Sequence, residues 1–141
     1  MGRPRIVGII LNERYLRLDR YGNAAETGGS GMDRKLPPII AVDFDGTLSL
    51  GEWPGVGPPN IAIIRQLQER KGAGSKIILW TCRSGEALSN ALDWCRLMGI
   101  EFDAVNENLP EVLAAWGNKD TRKIFADEYW DDKAVGLEAL I

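Results

Sequence analysis

Short apolar runs alternate with longer amphipathic stretches over residues 39–130. The first run, Ile-Ile-Ala-Val over residues 39–42, is rich in β-branched residues and contains no polar one, which is typical of a strand buried on both faces of a sheet. Comparable runs predict strands over residues 76–80, 101–105 and 123–130. The pattern therefore predicts four strands separated by other elements.

The stretches between these runs have the spacing of amphipathic helices. We predict a first helix after Asn60, a second over residues 85–98 and a short third helix after Asn108, with both asparagines capping the helices that they precede. Strands that alternate with helices form βαβ units, which build a parallel sheet. The predicted fold class is therefore α/β with a central parallel sheet.

Residues 1–31 have a different pattern from the rest of the chain. Two short apolar runs separated by polar residues predict a β-hairpin, and Gly-Gly-Ser-Gly over residues 28–31 is typical of a flexible linker. We therefore expect residues 1–31 to be an appended segment that the chemistry does not need, and residues 32–141 to be the main domain. The predicted hairpin strands cover residues 6–11 and 15–21, with a turn at Asn12 and Glu13.

Polar residues follow each of the four predicted strands directly. The carboxyl ends of parallel strands share one edge of the sheet, and ligands bind at that edge in open α/β folds. Carboxylates gathered there are costly to desolvate unless a cation offsets their charge, and Mg²⁺ prefers oxygen ligands. The residues at these strand ends are Asp43, Asp45, Thr81, Arg83, Asn106, Asp131 and Asp132.

Composition narrows the chemistry that this chain can perform. Its 141 residues favour one main domain. Its 17 basic and 20 acidic residues give a net charge of −3, which offers no strong electrostatic case for non-specific nucleic-acid binding. The absence of histidine excludes a histidine general base and most zinc sites. Cys82 and Cys95 provide no disulfide framework, so we expect a reducing, cytoplasmic location. No apolar run is long enough to span a membrane, so no membrane partner is expected.

Asp-Phe-Asp-Gly-Thr over residues 43–47 resembles the first motif of the haloacid dehalogenase (HAD) superfamily of phosphatases. The run over residues 77–81 resembles the second motif, Lys123 the third, and the pair Asp131 and Asp132 the fourth, all in the order that the superfamily requires. The Thr-x-Arg form of the second motif is similar to that of the phosphatase domain of phage polynucleotide kinase. The resemblance implies a three-layer Rossmann-like HAD fold, and the spacing of the motifs leaves no room for a cap domain.

The resemblance also implies catalytic roles for individual residues. Asp43 would be the nucleophile that forms an aspartyl phosphate, and Asp45 would act as acid and then as base. Thr81 would donate a hydrogen bond to a phosphoryl oxygen, and Lys123 would place a cation beside the developing charge. Mg²⁺ would be held by Asp43, the main-chain carbonyl of Asp45, Asp132 and, through water, Asp131. The candidate substrate-binding residues are Gly46, Cys82, Arg83 and Asn106.

These features favour an Mg²⁺-dependent phosphomonoester hydrolase with an open site, which suits a phosphate on a polymer end or a nucleotide. A phospho-acceptor signalling module is an alternative, since receiver domains also combine Asp, Thr and Lys around Mg²⁺ on a parallel sheet. A catalytically inactive binding domain is a second alternative. Local alternatives exist as well, because Arg83 could pair with nearby Glu86 and Lys123 could be a solvated surface lysine.

Overall fold

The computed structural model describes residues 36–141 in full and, before them, the backbone of three strands. These are β1 (Gly8–Leu11), β2 (Arg14–Leu18) and β3 (Ala24–Glu26), which form an antiparallel sheet with β2 in the middle. The pairing of β1 with β2 is that of a hairpin, and β3 was not predicted from the sequence. The predicted turn at Asn12 and Glu13 and the linker over residues 28–31 lie outside the described residues.

The main part of the chain forms a four-stranded parallel sheet in the order β6-β5-β4-β7, with helices along the connections. This arrangement confirms the predicted α/β class and the central parallel sheet. Within the part of the chain that the structure describes, no helix is long and apolar enough to cross a membrane. The elements are β4 (Ile39–Val42), α1 (Ile61–Gly72), β5 (Lys76–Leu79), α2 (Gly85–Leu97), β6 (Ala104–Val105), α3 (Pro110–Ala115), β7 (Glu128–Trp130) and a 3-10 helix (Leu137–Leu140).

The central strand β4 contributes side chains to a core on each face of the sheet. Ile40 and Val42 pack with residues of α1 and α2 on one face. Ile39 and Ala41 pack with residues of α3 and of the segment before β7 on the other. All four side chains are almost wholly buried, as the uninterrupted apolar run predicted. Burial on both faces explains why no polar residue interrupts β4.

The order of the strands creates a change of direction beside β4. The chain moves from β4 to β5 to β6 with α1 and α2 on one face of the sheet, and then returns to the other side of β4 for β7. The helix on that return, α3, lies on the opposite face, as right-handed crossovers require when the direction reverses. The carboxyl ends of β4 and β7 therefore flank a topological switch point, where ligand sites of open α/β sheets lie.

Two aspartates shorten the outer strands relative to the prediction. The Asp103 N–H donates to the carbonyl of Ile77 at 2.8 Å while its carboxylate accepts from the Ile77 N–H at 2.8 Å. Asp127 pairs with Ile39 in the same way, at 2.8 and 2.9 Å. Each aspartate carboxylate thus accepts, at the amino edge of the sheet, a hydrogen bond that a main-chain carbonyl would otherwise accept. β6 begins at Ala104 and β7 at Glu128, directly after these aspartates, rather than at the predicted residues 101 and 123.

The predicted side-chain caps of two helices are wrong. Asn60 does precede α1, but its side chain makes no capping hydrogen bond. Asn108 is not the cap of α3, because Leu109 occupies that position. The Asn108 side chain is buried and instead donates to Asp120 at 2.7 Å and accepts from the Phe125 N–H at 2.7 Å. It therefore fixes the segment that leads from α3 towards β7.

Candidate functional site

Three carboxylates meet at the switch point between β4 and β7. Asp43, Asp131 and Asp132 each offer an oxygen, and these oxygens lie within 4.8 Å of one another. Asp43 directly follows β4, and its N–H donates to the carbonyl of Trp130 at the end of β7, at 2.9 Å. The two strand ends that carry the acidic residues are thus joined by a main-chain hydrogen bond. We refer to these three residues as the acidic cluster.

Gly46 makes room for one member of this cluster. Its φ of +82° lies in the left-handed region, which favours glycine. A Cβ built on Gly46 would be 2.7 Å from Cγ of Asp132, closer than real Cβ atoms approach. The glycine of the Asp-x-Asp-Gly-Thr motif is therefore required both by the turn and by the nearby carboxylate.

Thr47 connects the two strand ends, and no role was assigned to it from the sequence. It is buried, and its Oγ1 accepts a hydrogen bond from the Asp132 N–H at 2.9 Å. The same oxygen lies 3.4 Å from Oδ2 of Asp43 and 3.5 Å from Oδ1 of Asp132, so its one proton can be directed to either carboxylate. The signal was its place at the end of the motif over residues 43–47.

The carboxyl group of Asp43 has a raised pKa. This pKa is raised from 3.8 to about 6, mainly by burial and further by the negative charges of Asp131 and Asp132. Hydrogen bonds from the Phe44 N–H and the Thr47 hydroxyl act in the opposite direction. Burial and like-charge repulsion outweigh these bonds, so the cluster carries unfavourable negative charge that a cation would relieve.

Arg83 is a wholly buried arginine whose five N–H groups are all used within the protein. Nε and Nη2 donate to the two carboxylate oxygens of Asp45 at 2.9 and 2.8 Å. The remaining donors bind the main-chain carbonyls of Gly55 at 2.6 Å, Ala87 at 3.0 Å and Pro54 at 3.1 Å. Arg83 therefore pairs with Asp45 and not with Glu86, and in this arrangement it has no donor left for a substrate.

The Arg83–Asp45 pair fixes the direction in which Asp45 faces. The bidentate contact uses one lone pair on each carboxylate oxygen and leaves the other available. The Asp45 side chain is 35% exposed, whereas that of Arg83 is 0% exposed. The acid is therefore accessible from solvent while its partner is not, and Arg83 is a residue that positions Asp45.

Thr81 and Asn106 lie side by side at the carboxyl ends of β5 and β6. The Thr81 N–H donates to Oδ1 of Asn106 at 2.8 Å, and Asn106 adopts a φ of 56°. The Thr81 Oγ1 accepts from the Arg83 N–H at 3.1 Å, which leaves its own proton available for donation. Cys82 follows Thr81 and is exposed. All three of these predicted site residues thus reach the carboxyl edge.

Lys123 is an exposed residue on the approach to β7. Its Nζ lies 5.3 Å from the centroid of the Tyr129 ring, a cation–π contact. Among residues 36–141, it forms no ion pair with a carboxylate. The structure therefore brings Asp43, Asp131 and Asp132 together but does not pair Lys123 with them.

A polar groove of about 530 Å³ opens beside Thr81. Its walls come from the ends of β5 and β6 and from the segment around residue 121. Trp80, Asn106 and Arg122 are among the residues that line it. The carboxyl edge is thus accessible on the side away from β7.

The acidic cluster fits a hard divalent cation. Its ligand atoms are carboxylate oxygens, its charges repel one another, and Gly46 leaves space for the Asp132 carboxylate at close range. The main-chain carbonyl of Asp45 stays a predicted ligand. Asp131 accepts a hydrogen bond from the Lys133 N–H at 2.9 Å, which fixes its side chain in a tight turn.

The described residues thus define an α/β protein with an acidic cluster at the switch point of a parallel sheet. No family model and no curated protein matches the sequence. Among solved structures, the chain is similar to a conserved protein from Bacteroides thetaiotaomicron, with 37% identity, 69% of this chain and 77% of that chain covered, and a TM-score of 0.61. At this identity and coverage, the chain belongs to the same family as that conserved protein.

Proposed function

We propose that this protein is an Mg²⁺-dependent phosphomonoester hydrolase of the HAD type, with a Rossmann-like three-layer fold and no cap domain. The observation that carries the proposal is the acidic cluster, in which Asp43 is a half-buried carboxylate of raised pKa, about 6, beside two further carboxylates. Its position at the carboxyl ends of β4 and β7 supports a ligand site. The motif order over residues 43–132 agrees with this reading.

In the proposed reaction, an oxygen of Asp43 attacks the phosphorus atom of a phosphate monoester. The bond from phosphorus to the ester oxygen breaks, and Asp45, in its protonated form, gives its proton to the departing alcohol oxygen. A water molecule then attacks the phosphorus atom of the aspartyl phosphate while Asp45 takes a proton from it. The bond from phosphorus to the Asp43 oxygen breaks, the Asp43 carboxylate is regenerated, and inorganic phosphate leaves. Mg²⁺ held by the acidic cluster would neutralise the repulsion between Asp43 and the phosphate.

The neighbouring residues support these steps by orientation. Arg83 holds Asp45 in one direction, and the free lone pairs of the Asp45 oxygens serve proton transfer. The Thr81 hydroxyl proton is directed to a phosphoryl oxygen, and Asn106 fixes the backbone of Thr81 for that purpose. We assign to Lys123 the cation that faces the developing charge, which requires its flexible side chain to leave the Tyr129 ring.

The test is release of inorganic phosphate from a panel of monoesters, with Mg²⁺ and with EDTA. We expect hydrolysis that requires Mg²⁺ and that Asp43→Asn lowers at least 10³-fold, since the variant lacks the nucleophile. Asp93→Asn is the matched control, because Asp93 is an exposed aspartate on α2 that pairs with Arg96. Equal rates for the parent and the Asp43→Asn variant would contradict the proposal.

The same experiment separates the alternatives when acetyl phosphate is used as the phosphoryl donor. A phospho-acceptor module would take up one phosphoryl group per chain and release phosphate slowly, whereas a hydrolase turns over many times. An inactive binding domain would do neither. Asp45→Asn should accumulate the aspartyl phosphate if Asp45 is the base of the second step, because the water would then lack its proton acceptor.

A further inference from the structure

The loop after β4 is held in one conformation by close contacts within it. Gly51 and Gly57 pack against each other so tightly that a Cβ on Gly51 would lie 2.6 Å from Cα of Gly57. The Ser49 Oγ accepts hydrogen bonds from both glycines, at 3.3 and 2.9 Å. The indole N–H of Trp94 in α2 also donates to the Gly57 carbonyl at 3.1 Å. The base of the loop is thus closed and attached to the core.

Arg83 fixes the tip of this loop from below. Its guanidinium binds the carbonyls of Pro54 and Gly55, at 3.1 and 2.6 Å, and is itself almost wholly buried. The ring of Phe44 lies on one side of the guanidinium, with its centroid at 4.7 Å. The ring of Trp53 lies 5.0 Å away. Both contacts are cation–π contacts, and the second holds the Trp53 ring beside the guanidinium.

Trp53 is exposed, although the loop that carries it is held by these contacts. Its relative exposure is 62%, whereas the other four tryptophans of the chain are buried or half-buried. An exposed aromatic ring on a loop fixed by many contacts has already lost its conformational freedom, so binding a flat ligand costs little further entropy. These are the properties of a preformed stacking surface.

The same arginine connects Trp53 with Asp45. Arg83 contacts the Trp53 ring and forms the bidentate pair with the Asp45 carboxylate. In the proposed reaction, the oxygen of the leaving group lies within hydrogen-bond reach of Asp45. We propose that the exposed ring of Trp53 binds the leaving group of the substrate by stacking, so that this site selects phosphate monoesters of planar aromatic alcohols or nucleosides; this inference rests on the proposed function.

The groove beside Thr81 is the rival location for the leaving group. It also contains a tryptophan, Trp80, but that ring is half-buried and packs against the core cluster on the α3 face. The groove also contains a cation, Arg122, which is exposed and forms no ion pair among residues 36–141. The groove thus offers polar and charged groups, whereas Trp53 offers an open aromatic face.

The test compares two phosphonates that cannot be hydrolysed and that share one carbon skeleton, with an aromatic ring in one and a saturated ring in the other. Benzylphosphonate and cyclohexylmethylphosphonate are titrated into the full chain by calorimetry in the presence of Mg²⁺. We expect the aromatic ligand to bind about tenfold more tightly. Trp53→Leu should bring the ratio of the two dissociation constants close to one, and Trp53→Phe should retain most of it. Val56→Ala, on the same loop, and Arg122→Gln, in the groove, should leave the ratio unchanged.

Each outcome decides one question. Equal affinities in the parent, no binding of either phosphonate, or a preference that survives Trp53→Leu would overturn the stacking role of Trp53. Loss of the preference in Arg122→Gln instead would assign the leaving group to the groove and would also overturn the stacking role of Trp53. Hydrolysis of benzyl phosphate is measured in parallel. Selective binding of the aromatic phosphonate without any hydrolysis would support the stacking site and contradict the hydrolase, so the two failures are distinguishable.

Discussion

Gly46 and Asp132, which are far apart in the sequence, occupy neighbouring positions in which only glycine leaves room for the carboxylate. A Cβ on Gly46 would lie 2.7 Å from Cγ and 3.1 Å from Oδ1 of Asp132. The backbone of Asp132 is held in turn by the Thr47 hydroxyl at 2.9 Å. Residues 46 and 47 therefore shape the acidic cluster, although neither contributes a carboxylate to it.

Gly46→Ala should weaken Mg²⁺ binding at least tenfold, because the added methyl group displaces the Asp132 carboxylate. It should also destabilise the protein by more than the cost of a left-handed alanine, which is about 1–2 kcal/mol. Gly117→Ala is the matched control, since Gly117 has a φ of +73° and no atom within 4 Å of its added Cβ. Calorimetric titration with Mg²⁺ and urea unfolding would measure both effects. Equal Mg²⁺ affinity in the two variants would contradict the assignment.

Asp43→Asn should stabilise the metal-free protein at neutral pH. The pKa of Asp43 is raised from 3.8 to about 6 in the folded state, so ionising this group lowers the stability of the protein. The loss of stability is complete above pH 6, becomes smaller as the pH falls from 6 to 3.8, and is absent well below pH 3.8. The gain should be about 1–2 kcal/mol at pH 7.5, after allowance for solvent screening of this half-buried group. Urea unfolding in EDTA at pH 7.5 and pH 3.5 would measure it.

In the presence of Mg²⁺ at pH 7.5, the parent should be more stable than the Asp43→Asn variant. With Mg²⁺ bound as proposed, the parent should gain stability, whereas Asp43→Asn lacks one carboxylate of the acidic cluster and should gain less. Asp93→Asn serves as the control, because Asp93 is exposed and its change should stay within about 0.5 kcal/mol with or without Mg²⁺. A stabilisation by Asp43→Asn that is as large at pH 3.5 as at pH 7.5 would contradict the electrostatic explanation.

Arg83→Met should destabilise the protein by about 3–5 kcal/mol, because it leaves the Asp45 charge without its buried partner and two loop carbonyls without donors. Arg83→Lys should recover little of this, since an ammonium group cannot reproduce a fork of five donors. Arg96→Gln is the control, because the Arg96–Asp93 pair is 67% and 69% exposed and should be worth less than about 1 kcal/mol. Urea unfolding measures the stability, and faster hydrogen exchange at Gly57 would report the loosened loop.

Thiol reagents should distinguish the two cysteines. Burial raises the pKa of the Cys95 thiol to about 12, so it is neither ionised nor accessible at pH 8, whereas Cys82 is exposed. A disulfide-exchange reagent should titrate one thiol in the folded protein and two in urea, and Cys82→Ser should remove the reaction of the folded state. Two thiols of equal reactivity in the folded protein would show that Cys95 is not protected.

The sequence alone was sufficient to predict the core strand β4 and the place of the acidic residues. An uninterrupted β-branched run has few alternatives to a buried strand, and the carboxyl ends of parallel strands necessarily share an edge. Asp43, Asp131 and Asp132 were therefore predicted to approach one another, and the structure brings them within 4.8 Å. The catalytic roles that the resemblance implies for Asp43, Asp45, Thr81 and Lys123 remain predictions.

The tertiary structure alone decided which polar groups are partners. Asp103, Asp127 and Asn108 each have several local hydrogen-bonding options, and their actual contacts are with residues 12 to 88 positions away. The Arg83 guanidinium could have paired with Glu86 nearby, yet it binds Asp45, 38 positions away, because burial beneath the loop demands that all five donors be satisfied at once. The residue type determines how many hydrogen bonds a side chain can make. The folded chain decides which groups are close enough to make them.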